Sequence, residues 1–159
     1  MVLQSGVVTP GHVATWTTDG VIQDGGTQSP AVLASLRGAN FNSTSDQPIA
    51  IPASIGAFQL TGIIIANASI SLSTAAGGFY PAALKGGTPI VAASQAYSSL
   101  STPVTALMQA TLAAFGQNTR FSSANLGQIL GLNNIWFSLT TPQGVTATAD
   151  IYLLGNNLT

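Results

Sequence analysis

The sequence predicts an all-β protein: an antiparallel β-sandwich of jelly-roll type with an extended N-terminal arm. Three observations predict it. Short stretches alternate apolar and polar residues or run β-branched, as in Leu60–Asn67 and Asn134–Thr140. Turn formers separate them at short intervals, with 17 Gly and 8 Pro in 159 residues. No βαβ alternation runs along the chain. A chain of this length can bury roughly 70% of the surface its unfolded form exposes, enough for one core. The expected division is residues 1–40 as an attachment segment and 41–159 as the sandwich body.

Residues 1–30 hold Gly6, Pro10, Gly11, Gly20, Gly25, Gly26 and Pro30, which break any long element. Val13–Thr18 and Gly20–Gln23 are each expected to be short extended pieces. At about 3.3 Å per residue such an arm reaches ~100 Å, far enough to touch a neighbouring subunit. Ser29 as cap, Pro30 at the first position and Gly38 as stop predict one or two helical turns over Pro30–Arg37. Asn40–Pro48 is polar and turn-like, and Gln47–Pro52 is expected to begin the main sheet.

Leu60–Asn67 reads as a strand through its β-branched run. Ala68–Ser73 alternates strictly, which predicts a half-buried strand with Ala68, Ile70 and Leu72 inward. Ala75–Pro81 and Lys85–Pro89 read as glycine-rich loops, and Pro89–Ser94 as a short apolar strand. In Pro103–Phe115, Val104, Leu107, Met108, Leu112 and Phe115 share one helical face, so periodicity favours a helix there. Asn134–Thr140 sets Ile135, Phe137 and Leu139 against Trp136, Ser138 and Thr140. The turn Thr141-Pro-Gln-Gly then leads into Val145–Leu154, with Val145, Ala147, Ala149, Ile151 and Leu153 on one side, and the two stretches read as a hairpin.

Only 4% of residues are charged, against 46% hydrophobic: Arg37, Lys85 and Arg120 face Asp19, Asp24, Asp46 and Asp150. Soluble surfaces usually carry ~25–35% charged residues. Ser and Thr supply the polarity instead, and hydroxyls tolerate burial in an interface when paired. Much of the surface is therefore expected to be covered by protein. Too few cations are present to neutralise a run of phosphates, which argues against nucleic acid. With no Cys, disulfides, thiol catalysis and Cys-ligated zinc fall away. Residues 1–10 lack the basic start and apolar run of a signal peptide, so export by that route is not expected. The longest apolar stretch, Leu60–Leu72, is interrupted too often to span a bilayer, and no membrane partner is expected.

Proton-moving groups are scarce. His12 with Asp19 or Asp24 matches no catalytic spacing, Asp46 and Asp150 are isolated in sequence, and no Gly-x-Ser-x-Gly elbow is present. Gly25-Gly26, Gly77-Gly78 and Gly86-Gly87 lack the Lys and helix of a phosphate cradle. The sequons at Asn42, Asn67 and Asn157 are expected by chance in so Ser/Thr-rich a chain. No enzyme activity, metal or cofactor is expected. Asp150 reads as a solvated or interface carboxylate. Trp16, Tyr80, Tyr97 and Trp136, if exposed, are candidates for stacking on sugars, though a strand aromatic is more often core.

Two stretches carry a resemblance. Ser5-Gly-Val-Val-Thr-Pro-Gly-His-Val-Ala-Thr-Trp-Thr-Thr-Asp-Gly-Val-Ile-Gln-Asp-Gly-Gly resembles a segment near the N-terminus of tailed-phage virion proteins of head-decoration, head-fibre and tail-fibre type. Asn67–Tyr80 and Ser138–Tyr152 are similar to the body of small phage structural proteins. The resemblance implies a virion component attached through its N-terminal segment, with His12, Trp16, Asp19, Val21, Ile22 and Asp24 as candidate attachment residues. It favours the strand reading of Pro103–Phe115. A body of ~120 residues is too short for a fibre shaft plus a receptor head. The implied role is a capsid decoration or cement subunit, made in the host cytoplasm and bound to the capsid surface. Its expected partners are itself, as a homo-oligomer with a trimer favoured, and the major capsid protein. A short fibre or tail-associated receptor- or glycan-binding subunit is the alternative.

Overall fold

The computed structural model describes residues 3–4, 12–16, 21–27, 30–101, 106–113, 120–122 and 134–157. All regular structure among them is β, and the chain divides into two compact units, Met1–Pro30 and Ala31–Thr159. The first unit is a small sheet of β1 (Leu3–Gln4), β2 (His12–Trp16) and β3 (Val21–Thr27). β3 lies in the middle, antiparallel to β2 and parallel to β1. The two extended pieces read from the sequence correspond to β2 and the start of β3, but β3 runs on through Gly25 and Gly26, where the sequence predicts a break.

In the second unit β4 (Ala31–Asn40), β11 (Thr148–Asn157), β6 (Ala57–Ala66) and β8 (Leu107–Gln109) form one sheet in that order. β9 (Arg120–Ser122) also pairs with β6. β5 (Gln47–Ala50), β10 (Asn134–Thr141) and β7 (Ala76–Tyr80) form the other. Side-chain alternation decides what each sheet buries. Leu60, Ile63 and Ile65 of β6 meet Ile151 and Leu153 of β11 in one core with Ile49 of β5, Phe79 of β7 and Ile135, Phe137 and Leu139 of β10. Both sheets thus bury one face against the other, as in a β-sandwich. Full burial of each large apolar side chain stabilises by about 1.5–3 kcal/mol. At the centre Phe41, Phe79 and Tyr97 surround Phe137, with ring centroids 4.9, 5.1 and 6.1 Å from it.

The antiparallel pairing is nested. β4 pairs with β11, β5 with β10, β6 with β8, and innermost Phe79 of β7 bridges Val91. This overturns the hairpin expected from Asn134 to Leu154, because β10 and β11 lie in different sheets. The connection between them is tied to the chain between β4 and β5: Gln143 N–H donates to Phe41 O (2.8 Å), Phe41 N–H to Ala147 O (2.8 Å), and Gly144 N–H to Asn42 Oδ1 (2.9 Å). Val145 is exposed and outside β11, while Ala147, Ala149, Ile151 and Leu153 are buried as expected.

Five local readings are corrected with it. Pro30–Arg37 is not helical: residues 31–40 are an edge strand of the second unit, although their sequence grouped them with the attachment segment. Gly38, read as a helix stop, has φ +63° at a β-bulge, where the register moves from Ala39 opposite Ala149 to Leu36 opposite Ile151. Ala76–Tyr80 is a strand and not a loop. A Cβ on Gly77 would stand 2.5 Å from Leu139 Cα, so glycine here permits a close strand approach.

Ala68–Ser73 keeps Ala68 and Leu72 buried but joins no ladder. Asn67 turns the chain at φ +54°, and the N–H groups of Ser69 and Leu72 donate to Thr148 O and Leu100 O. Pro89–Ser94 contributes only bridges at Val91. Over residues 106–113 the helical reading gives way to extended chain containing β8, paired with Ile64–Ala66; the rest of Pro103–Phe115 lies outside the described residues.

Candidate interaction surfaces

Register fixes which candidate residues of the first unit meet. Trp16 stands directly opposite Ile22, and on the other side of β3 Gln4 lies beside Ile22 and Leu3 beside Val21. Trp16 is 64% exposed and Val21 and Ile22 are half-buried, so an aromatic ring and a β-branched side chain form one cross-strand pair facing solvent. His12 is opposite Thr27 and Asp24 opposite Ala14, so the two do not share a register position. Asp19 lies outside the described residues.

The outward face of the β4–β11–β6–β8 sheet is apolar at its centre. One row runs Val32, Leu154 and Gly62; the next runs Ser35, Tyr152, Ile64 and Gln109; the third holds Asp150, Ala66 and Leu107. Val32 and Leu107 are exposed, and Tyr152, Leu154, Ile64 and Ala66 are half-buried. The charged pair on this face is neutral overall: Arg37 Nη1 donates to Asp150 Oδ2 at 3.0 Å, and its guanidinium lies 4.8 Å from the Tyr152 ring centroid. Asp150 is a hub as well as a surface carboxylate. It also accepts from Gly38 N–H (2.9 Å) and Asn67 Nδ2 (2.9 Å), with Tyr152 Oη at 3.4 Å. Burial alone would raise its pKa. The hydrogen bonds from Asn67, Gly38 and Arg37, with the Arg37 charge, outweigh burial and hold the carboxyl below its usual range.

Residues 81–88 follow β7 as a tight loop. Pro81 and Ala82 at its base are buried, Ala82 bridges Gly86, and Gly86 N–H donates to Ala83 O at 3.1 Å. Leu84 and Lys85 occupy the left-handed region, with φ +58° and +56°. For non-glycine residues this costs roughly 1–2 kcal/mol each. The loop is held to the β4–β5 connection: Leu84 N–H donates to Asp46 Oδ2, and Lys85 Nζ to Thr44 O at 3.4 Å. Leu84 is 90% exposed.

The aromatic candidates separate by burial. Tyr97 is core, its hydroxyl donating to Gly77 O at 3.0 Å, and burial pushes its pKa far up. Tyr80 is also buried. Burial and the Asp46 charge raise its pKa, and its hydroxyl has no protein partner. Trp136, opposite Tyr80 across β7 and β10, is half-buried with Nε1 likewise unpartnered. Among these four, Trp16 alone projects into solvent. Among the described residues no three His, Asp or Glu side chains converge, and no helix is long and apolar enough to cross a membrane.

Sequence reading missed the two-sided apolar character of the β4–β11–β6–β8 sheet and the Leu84 tip. The signal for the former was present: Ile63-Ile-Ile and Ile151-Tyr-Leu-Leu are apolar at both parities, the mark of a strand covered on both faces. For Leu84 none exists, because a positive φ at leucine is unreadable in Ala-Leu-Lys. No family model, curated protein or solved structure matches this chain.

Proposed function

We propose that this chain is a structural subunit of a tailed-phage virion, a capsid decoration or cement protein that binds the head surface and bridges coat subunits. The observation that carries the reading is a strand sheet whose outward face is apolar at its centre, in a chain whose seven charged side chains leave little ionic surface to keep it apart in water. Such a face favours cover by copies of itself, and a cyclic homo-oligomer, a trimer first, is the expected state. Residues 1–30 act as the attachment arm, with the Trp16–Ile22 pair as its apolar contact. A subunit that prefers the assembled shell to free coat protein stabilises the shell by mass action.

The nested pairing supports a jelly-roll reading of the sandwich. Counting eight extended segments from β4 to β11, with the chain at Val91 as the fifth and β9, which also pairs with β6, left out of the count, the sheets run 1-8-3-6 and 2-7-4-5. That is the order obtained when one long antiparallel ribbon is rolled up.

The test is sedimentation of the purified protein with shells of the encoding phage. The full chain should co-sediment, and a chain lacking residues 1–30 should stay folded by circular dichroism and remain in the supernatant. Equal binding by both would refute the arm. The exposed Trp16 ring also suits a sugar, which favours a second reading as a short fibre or tail-associated glycan-binding subunit. In that case the full chain binds host cells, Trp16→Ala abolishes binding, and shells are ignored.

A further inference from the structure

We propose that the 81–88 loop is a second virion contact: Leu84 enters an apolar pocket of a coat subunit while the Lys85 ammonium meets a carboxylate at the pocket's rim. The inference rests on the virion reading and names the chemistry of a second contact on the partner. Leu84 is more exposed than any other exposed large hydrophobic among the described residues, at 90%. An exposed leucine alone means little. This one is held out by construction. It sits with Lys85 in consecutive left-handed conformations, while the two glycines able to adopt them freely stand at the following positions, Gly86 and Gly87.

The strained tip is fixed from several sides. Asp46 accepts the Leu84 N–H, Thr44 O accepts from Lys85 Nζ, and Gly86 closes back on Ala83. Gly87, at φ +78°, packs so closely on Pro81 that a Cβ there would come 2.7 Å from Pro81 Cγ. A side chain held in its presenting geometry loses little freedom on docking, which is how a single anchor acquires a large share of a binding energy. Strain concentrated at a tip whose leucine lies almost wholly in solvent points to use outside the molecule.

Charge selects the occupant. Lys85 keeps ammonium protons free beside the leucine, so the complementary surface is an apolar pocket edged by a carboxylate. Of a second copy's four acidic side chains, Asp46 and Asp150 already accept from Leu84 N–H and from the Arg37, Gly38 and Asn67 donors, and Asp19 and Asp24 belong to residues 1–30, which the proposed function gives to shell attachment. The partner is therefore a different protein, and two contacts per subunit, arm and loop, are what bridging requires.

The experiment measures binding of full-length protein to shells of the encoding phage assembled without it. Leu84→Asn keeps the left-handed preference and removes the apolar anchor. It should melt like the wild type and bind at least about tenfold more weakly, whereas Leu84→Met should bind within about threefold. Lys85→Gln leaves the anchor in place and should flatten the salt dependence of binding, which keeps the test open should Leu84→Asn misfold. Unchanged binding by Leu84→Asn, with wild type bound, overturns the loop contact and leaves the virion reading standing. Failure of wild type to bind overturns both. Dissociation of the homo-oligomer by Leu84→Asn at unchanged shell affinity assigns the loop to a second copy and overturns the coat-subunit assignment.

Discussion

Replacing Asp150 by alanine tests how the sheet is tied together. Its carboxylate, on β11, holds two other chain segments: the β4 bulge, through Gly38 N–H and the Arg37 guanidinium, and the end of β6, through Asn67 Nδ2. Gly38 and Asn67 both have positive φ, so the one side chain pins two turning points of the backbone. Hydrogen bonds to a charged acceptor contribute about 1.5 kcal/mol each, which gives about 3 kcal/mol for the Gly38 and Asn67 bonds. The Arg37 pair adds no more than about 0.5 kcal/mol, because its side chain is 67% exposed. Urea unfolding at pH 7 should show the midpoint falling by roughly 1–2 M with an unchanged slope.

The pH dependence has a definite sign. The folded-state pKa of Asp150 is depressed, so its stabilisation is complete above the unfolded value near 3.9 and is lost as pH falls through the folded value. The gap between wild type and Asp150→Asn should therefore be full at pH 7 and shrink below about pH 4. Equal midpoints at pH 7, or a gap independent of pH, would refute the hub.

Other substitutions probe the core and the unpaired groups. Tyr80→Phe removes a buried hydroxyl with no protein partner, so thermal melting should show stability unchanged or raised by up to about 1 kcal/mol. Gly77→Ala pushes a Cβ against Leu139 Cα and Ser138 O, each 2.5 Å away, and should cost about 3 kcal/mol in urea. Phe137→Ala empties the centre of the aromatic cluster and should cost about 3–5 kcal/mol, read the same way. Trp16→Ala should leave the melting temperature unchanged while weakening shell binding, since the ring is largely in solvent.

The strands legible in the sequence are those whose own residues specify them. β6 carries its β-branched run, β10 and β11 alternate at period two, and β2 and the first half of β3 stand between glycines. What misled the reading was local punctuation with non-local causes. Ser29, Pro30 and Gly38 mimic helix boundaries, yet the glycine serves a bulge opposite a carboxylate 112 residues away. Gly77-Gly78 mimics a loop, but its missing side chains make room for β10 and for Val91 O. Thr141–Gly144 mimics a hairpin turn, and whether a turn joins neighbours in one sheet or crosses to another depends on β4 and β5, about a hundred residues upstream. Of the candidate attachment residues, the sequence brought out Trp16 and Ile22 and their register made them a pair. Asp150 was visible only as an isolated acid, because its partners come from β4 and from the end of β6.

The proposed role as a tailed-phage virion subunit is tested most directly by an electron cryomicroscopy map of purified particles of that phage. The account predicts copies of the sandwich on the outer surface of the head, clustered about symmetry axes, with residues 1–30 and Leu84 against coat subunits. Particles in which no copy of the chain lies on the head would contradict it.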